Sequence, residues 1–143
     1  MALGAQSFAE LLAAIGARTP APASGVATAC TAALAASLVE LAARFAGDDA
    51  VADRAQVLAA RLVELGDEDV VAYTAFLAER SVESRAAIIR VPEEIAACAD
   101  EVAALADDIA SRLRSAVAAD AAAGARLARA AAGVARRLAE VNV

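Results

Sequence analysis

Apolar positions recur along this chain at spacings of three and four, the period of a helix face. Phe8, Leu11, Leu12 and Ile15 fall on one such face between residues 8 and 17. Ser7-Phe-Ala-Glu10 in front of them is a capping-box pattern, in which the Ser hydroxyl accepts an amide and the Glu side chain reaches back. Thr19-Pro-Ala-Pro-Ala-Ser-Gly25 then stops this helix and aims the next. The second helix is expected from near Gly25, with Ser24 as N-cap, to Gly47 in the position after its end. From Val26 to Val39 it carries no charge and mostly Ala, Ser and Thr. Such a surface lets neighbouring backbones approach closely, so this helix is expected at the centre of the fold.

Asp48 and Asp49 open a third helix, with Val51, Ala55, Leu58, Leu62 and Leu65 on its face and Gly66 closing it. Asp67-Glu-Asp69 supplies a negative first turn, favourable to the helix dipole, for a fourth helix that carries Val70, Tyr73, Phe76 and Leu77. Ser81 re-caps a short fifth helix through Ile89, with an unbroken helix over 67–89 as the alternative. Pro92 suits the first position of a sixth helix, whose seam is Ile95, Cys98, Val102, Leu105, Ile109 and Leu113. A weak break at 114–119 precedes a last helix through Leu127, Val134, Leu138 and Val141. The pattern predicts an all-α protein, residues 1–143 forming one bundle of six to seven helices joined by short connections.

Composition narrows the chemistry. Hydrophobic residues make up 61% of the 143, but much of that is Ala and only three Phe and one Tyr are aromatic. A core without Trp gains burial through close packing of small side chains. The net charge of −6 argues against a nucleic-acid partner, which wants a basic face for phosphates, and against an anionic membrane surface. Glu40 and Arg44 interrupt the apolar run of the second helix, so no membrane span is expected. There is no His, so no imidazole ligates metal or acts as a base; no metal site is expected, and proton transfer falls to carboxylates, hydroxyls, thiols or Tyr73. Cys30 and Cys98 read as free thiols of a cytoplasmic protein, and Met1-Ala-Leu-Gly lacks the basic region and cleavage pattern of a signal peptide.

Four stretches, in order, give the chain a likeness to a known family. Leu11-Leu-Ala-Ala-Ile-Gly-Ala-Arg-Thr-Pro-Ala-Pro-Ala-Ser-Gly25 resembles a first helix followed by a T-P-x-P-G-G-G turn. Asp67-Glu-Asp-Val-Val-Ala-Tyr73 is similar to a D-E-D-x-x-A-F segment, and Val91-Pro-Glu-Glu-Ile-Ala96 to a V-P-x-x-I-A helix start. The stretch from Asp120 to Glu140-Val-Asn142-Val143 resembles a final helix that begins at S/T-D and ends near E-I-N-L. These are motifs of the cyclodeaminase/cyclohydrolase family: the cyclodeaminase domain of formiminotransferase-cyclodeaminase and its stand-alone relatives, including methenyltetrahydrofolate cyclohydrolases. The resemblance implies a tetrahydrofolate derivative as substrate, with no bound cofactor, and a homodimer.

On that resemblance, one activity adds water to the methenyl carbon bridging N5 and N10 of the folate and opens the ring. The other closes the bridge in formimidoyl-tetrahydrofolate and releases ammonia. Asp120, which aligns with the family's late Asp and precedes the small-residue run Ala121 to Gly124, and Asp69 are the expected catalytic carboxylates. Pro22, Ala23, Ser24 and Gly25 form a turn whose free amides and positive helix end suit a carboxylate or carbonyl of the substrate. Asp67, Tyr73 and Arg90 complete the expected binding set, Arg90 with Arg85 attracting the glutamate tail. Each of these residues also has a structural reading: Ser24 as a cap, Asp67 and Asp69 as dipole compensation, Tyr73 as core, Arg90 as surface charge. Ala23-Ser24-Gly25 stand where the family has three glycines, Ala119 stands where Ser or Thr precedes the late Asp, and there is no Lys. An alternative function follows from those differences: a catalytically eroded paralogue acting as a folate-binding or structural dimeric helical protein.

Overall fold

The structure is a computed structural model and describes residues 2–143. After a short 3-10 turn at Leu3–Ala5 come five α-helices: α1 (Phe8–Gly16), α2 (Ser24–Ala46), α3 (Asp49–Ala78), α4 (Val82–Arg112) and α5 (Ala116–Asn142). The last four are long and joined by short connections, so consecutive helices run antiparallel and form a four-helix bundle. The all-α class agrees with the sequence; the helix number is five rather than six or seven.

The difference arises at two residues read as helix boundaries. Gly66 does not close a helix; α3 runs through it. A Cβ at this position would stand 2.7 Å from Leu3 Cδ2 and 3.6 Å from Ala29 Cβ, so the glycine admits the N-terminal turn and α2 against α3. That packing outweighs the roughly 1 kcal/mol a mid-helix glycine costs. Asp67, Glu68 and Asp69 therefore lie within a helix rather than in its first turn. Pro92 likewise lies inside α4, which starts ten residues earlier at a Ser81 cap, where Ser81 Oγ accepts from the Ser84 amide at 3.0 Å.

The other punctuation was legible. Ser7 and Glu10 form the reciprocal capping box, with Ser7 Oγ accepting from the Glu10 amide at 3.1 Å and the Ser7 amide donating to Glu10 Oε2 at 2.7 Å. Asp48 Oδ1 accepts from the Val51 amide at 3.0 Å and starts α3. Gly47 ends α2 in the left-handed conformation, φ 70°, which favours glycine. At the start of α2 the cap is Ala23, with no side-chain hydrogen bond; Ser24 is already the first helical residue, which corrects its reading as N-cap.

Helix α2 packs against α3, α4 and α5, as its small side chains predicted. Ala29, Ala32, Ala35 and Ala36 of α2 are buried with Ala96, Ala99 and Ala103 of α4 and Ala125, Ala128 and Ala132 of α5. The larger buried side chains, Leu62, Leu65, Ile95 and Ile109, come from α3 and α4. The stretch Ser24–Phe45 is long and apolar enough to cross a membrane, but half of its most apolar window is buried in the bundle, as in the core helix of a helical domain. Helix α1 stands apart: it buries no residue, and Phe8 remains 70% exposed.

Candidate functional site

One end of the bundle gathers the start of α2, the second half of α3, the middle of α4 and the end of α5. Between them lies a cavity of about 230 Å³ lined by Ala23, Ser24, Gly25, Asp69, Tyr73, Pro92, Leu138 and Asn142, together with Pro20 and Ala21 from the preceding turn. The positions follow from helix geometry. Asp69 and Tyr73 are four residues apart and so share one face of α3. Because α3 continues through Gly66, that face is carried to the start of α2.

Asp69 is the chemical centre. Its carboxyl group lies against Gly25, in the space a Cβ at residue 25 would occupy. Gly25 is itself buried, so the carboxyl is drawn into the helix packing, and burial pushes its pKa above the ordinary value. No charged partner opposes that shift; desolvation is its cause. A carboxyl so placed holds or takes a proton more readily at neutral pH than an exposed one does. One turn further along α2, Thr28 is buried and donates from Oγ1 to the Ser24 carbonyl at 2.6 Å.

Asn142 closes the far wall. Its Nδ2 donates to the Ile88 carbonyl at 2.8 Å. Ile88 is four residues before Pro92, so its carbonyl is the one that the missing proline N–H leaves without a helical donor. Pro92 is fully buried against the same cavity. Arg85 Nη1 donates to the Asn142 backbone carbonyl at 3.3 Å and also lies over the Phe76 ring, fastening the end of α5 to α3 and α4.

The expected site residues divide. Asp69, Tyr73, Ala23, Ser24 and Gly25 meet in this cavity. Pro22 and Asp67 line a neighbouring one, where Asp67 Oδ1 accepts from the Leu3 amide at 2.8 Å. Arg90 faces outward between α3 and α4 and pairs with Glu94 and, at 3.6 Å, with Glu68. Arg61 joins that cluster through Glu68 at 2.6 Å and Glu94 at 2.7 Å, so Arg90 is engaged away from the cavity. Asp120 lies in the opening turns of α5, about 33 Å along the helix from Asn142 at 1.5 Å per residue. Its neighbour Ala121 packs with Ala42, Ala43 and Ile109 at the other end of the bundle. Within one chain Asp120 and Asp69 therefore stand toward opposite ends of the bundle: an alignment position does not specify which end of an antiparallel helix meets the turn.

Pro92, Leu138 and Asn142 were absent from the expected set. Pro92 carried a usable signal, because a proline within a helix frees the carbonyl four residues back; nothing local pointed to Asn142 as the group that answers it. A larger cavity, about 510 Å³, lies elsewhere, between α1, α2 and α3. Its walls, including Phe8, Leu11, Ala33, Leu34 and Val63, are mostly apolar and bring no carboxylate, so the smaller cavity is the better candidate for chemistry. Cys30 on that wall has its thiol pushed up by burial and then by Asp67, the reverse of an activated nucleophile. Among the described residues, no group of three or more His, Cys, Asp and Glu side chains is placed to hold a metal ion.

Fold and site together define an Ala-rich helical bundle with a desolvated carboxyl at one end. The chain belongs to the formiminotransferase-cyclodeaminase family, whose model matches residues 7–143. None of the curated proteins compared with the chain matches it.

Proposed function

We propose that this protein is a folate-dependent one-carbon enzyme of the methenyltetrahydrofolate cyclohydrolase or formimidoyltetrahydrofolate cyclodeaminase type. Family membership supports the substrate class. The observation that carries the reading is the Asp69 carboxyl, held in a desolvated position against Gly25 and facing a cavity it shares with Tyr73 and Asn142.

In the cyclohydrolase direction, a water oxygen bonds to the cationic methenyl carbon and gives a proton to Asp69. One carbon–nitrogen bond then breaks and opens the ring: the departing nitrogen takes up the proton that Asp69 holds, and the adduct's hydroxyl loses its proton to solvent as it becomes the formyl oxygen. In the cyclodeaminase direction, N10 bonds to the formimidoyl carbon, its proton passes to Asp69, and the protonated imino nitrogen leaves as ammonia. In both, the ionised carboxyl also stabilises positive charge at the amidine carbon. Tyr73 supplies a hydroxyl on the same helix face.

A second reading, an eroded paralogue that binds folate or serves as a structural dimer, is favoured by the size of the cavity and by the turn at its edge. The 230 Å³ cavity is smaller than the roughly 300–1,000 Å³ usual for small-molecule sites. Ala23 and Ser24 occupy the turn where the family has glycine.

The decisive experiment mixes the purified protein with methenyltetrahydrofolate and follows loss of its absorbance, then repeats this for ammonia release from formimidoyl-tetrahydrofolate. Acceleration that Asp69→Asn abolishes is the expected result. Binding without turnover on either substrate favours the second reading, and neither binding nor turnover overturns both folate readings.

The partner we propose is a second copy of this chain. Helix α1 has only nine residues and buries none, although helices shorter than about 12 residues are marginal in water without a packed face. Phe8, Leu12, Leu34, Leu41 and Phe45 are exposed on α1 and α2. Free Cys30 and Cys98 suit the reducing conditions of the cytoplasm, the compartment we propose.

A further inference from the structure

Asn142 has a partner that fixes which way its amide faces. A carbonyl oxygen only accepts, so the atom 2.8 Å from the Ile88 carbonyl is the amide nitrogen and not its oxygen. The bond exists because Pro92 has no N–H to give that carbonyl. A buried carbonyl left without a donor costs about 1–3 kcal/mol, so the amide is held firmly in this sense. With one N–H of Nδ2 committed, the acceptor that Asn142 has left for the cavity it lines is Oδ1, beside the second N–H.

We propose that Asn142 is a specificity-determining residue of the Asp69 cavity: Oδ1 accepts a hydrogen bond from an N–H of the ligand, in an orientation set by the carbonyl that Pro92 frees. The pair selects for nitrogen-rich ligands. Asn142 takes an N–H donor, while Asp69 meets either a cationic carbon or a nitrogen that loses its proton. The ligand class rests on the folate reading above; the locked amide does not. A carboxylate at 142 would set two acceptors against each other at Ile88, so Asp is a poor substitute despite its matching shape.

The test uses the whole chain, labelled with 15N, and 5-formyltetrahydrofolate as a chemically stable probe. In the free protein one side-chain amide proton of Asn142 is expected to lie downfield and exchange slowly with solvent. Pro92→Ala restores an N–H to residue 92 and is expected to return that proton to the solvent-exposed value. An exposed-type signal in the wild type, or one that Pro92→Ala leaves unchanged, overturns the locked amide. For the probe, Asn142→Ala and Asn142→Asp are each expected to weaken binding about tenfold, which is the loss of one hydrogen bond. Pro92→Ala, which keeps the acceptor but frees it, is expected to weaken binding by less. Equal binding by the wild type and Asn142→Ala overturns the acceptor role. A wild type that shows the protected amide but binds no probe overturns the folate reading and the ligand assignment with it, while supporting the locked amide.

Discussion

The carboxyl group of Asp69 rests against the bare Cα of Gly25, in the space a Cβ at that position would need. One residue comes from the second half of a 30-residue helix and the other from the first turn of a 23-residue one. Their contact joins the chemistry to the packing, since the closeness that lets α2 sit against α3 also shields part of the carboxyl from solvent.

Gly25→Ala is expected to push the Asp69 side chain out of its position. Because the clash is with the end of a side chain, the fold yields there before the backbone does. The variant should keep its helical circular dichroism and lose turnover at least tenfold on whichever folate substrate the wild type converts. Full turnover in Gly25→Ala would remove the contact from the mechanism.

Asp69→Asn is expected to raise the melting temperature near neutral pH. Burial lifts the native pKa of Asp69 above its unfolded value. Its contribution to stability is then fully present below the unfolded pKa, about 3.9, and is lost as pH rises through the higher native value. Replacing it with a neutral amide removes that loss. Thermal scans of both proteins should diverge at about pH 7 and converge below about pH 4. The sign reverses if a cation stabilises the carboxylate in the folded protein, in which case Asp69→Asn melts lower.

Gly124→Leu is expected to destabilise the bundle by about 1–3 kcal/mol through overpacking. A Cβ at residue 124 would stand 3.2 Å from the Ala35 carbonyl oxygen and 3.4 Å from Leu38 Cβ, where α5 lies on α2. Urea unfolding measures the change. A midpoint equal to that of the wild type would mean that α5 moves away from α2 without loss.

Leu34→Glu is expected to give a monomer where the wild type is a dimer. Leu34 is 61% exposed beside the apolar groove under α1, so the substitution places a charge on the proposed interface and leaves the core intact. Light scattering at micromolar concentration reads both masses. A monomeric wild type would overturn the homodimer.

The periodicity of apolar residues, the Ser7–Glu10 capping box, the Asp48 cap and the left-handed Gly47 were readable because each depends on residues within one helical turn. The central place of α2 followed from an uncharged run of small side chains, which constrains what can pack on it whatever the partner. Asp69 and the Ala23–Gly25 turn were recognisable as candidates from local chemistry and family resemblance. Gly66 and Pro92 were misread as boundaries for a shared reason. Their local preference is to end or begin a helix, and only contacts from far along the chain reverse it: Leu3 fills the space at Gly66, and Asn142 supplies the donor that Pro92 removes. The same limit separates Asp120 from Asp69. Sequence determined which residues were able to carry a charge or turn a chain. The antiparallel packing of α2 to α5 decided which of them meet, because distance in space is set by where whole helices lie, and no residue encodes that within its own turn.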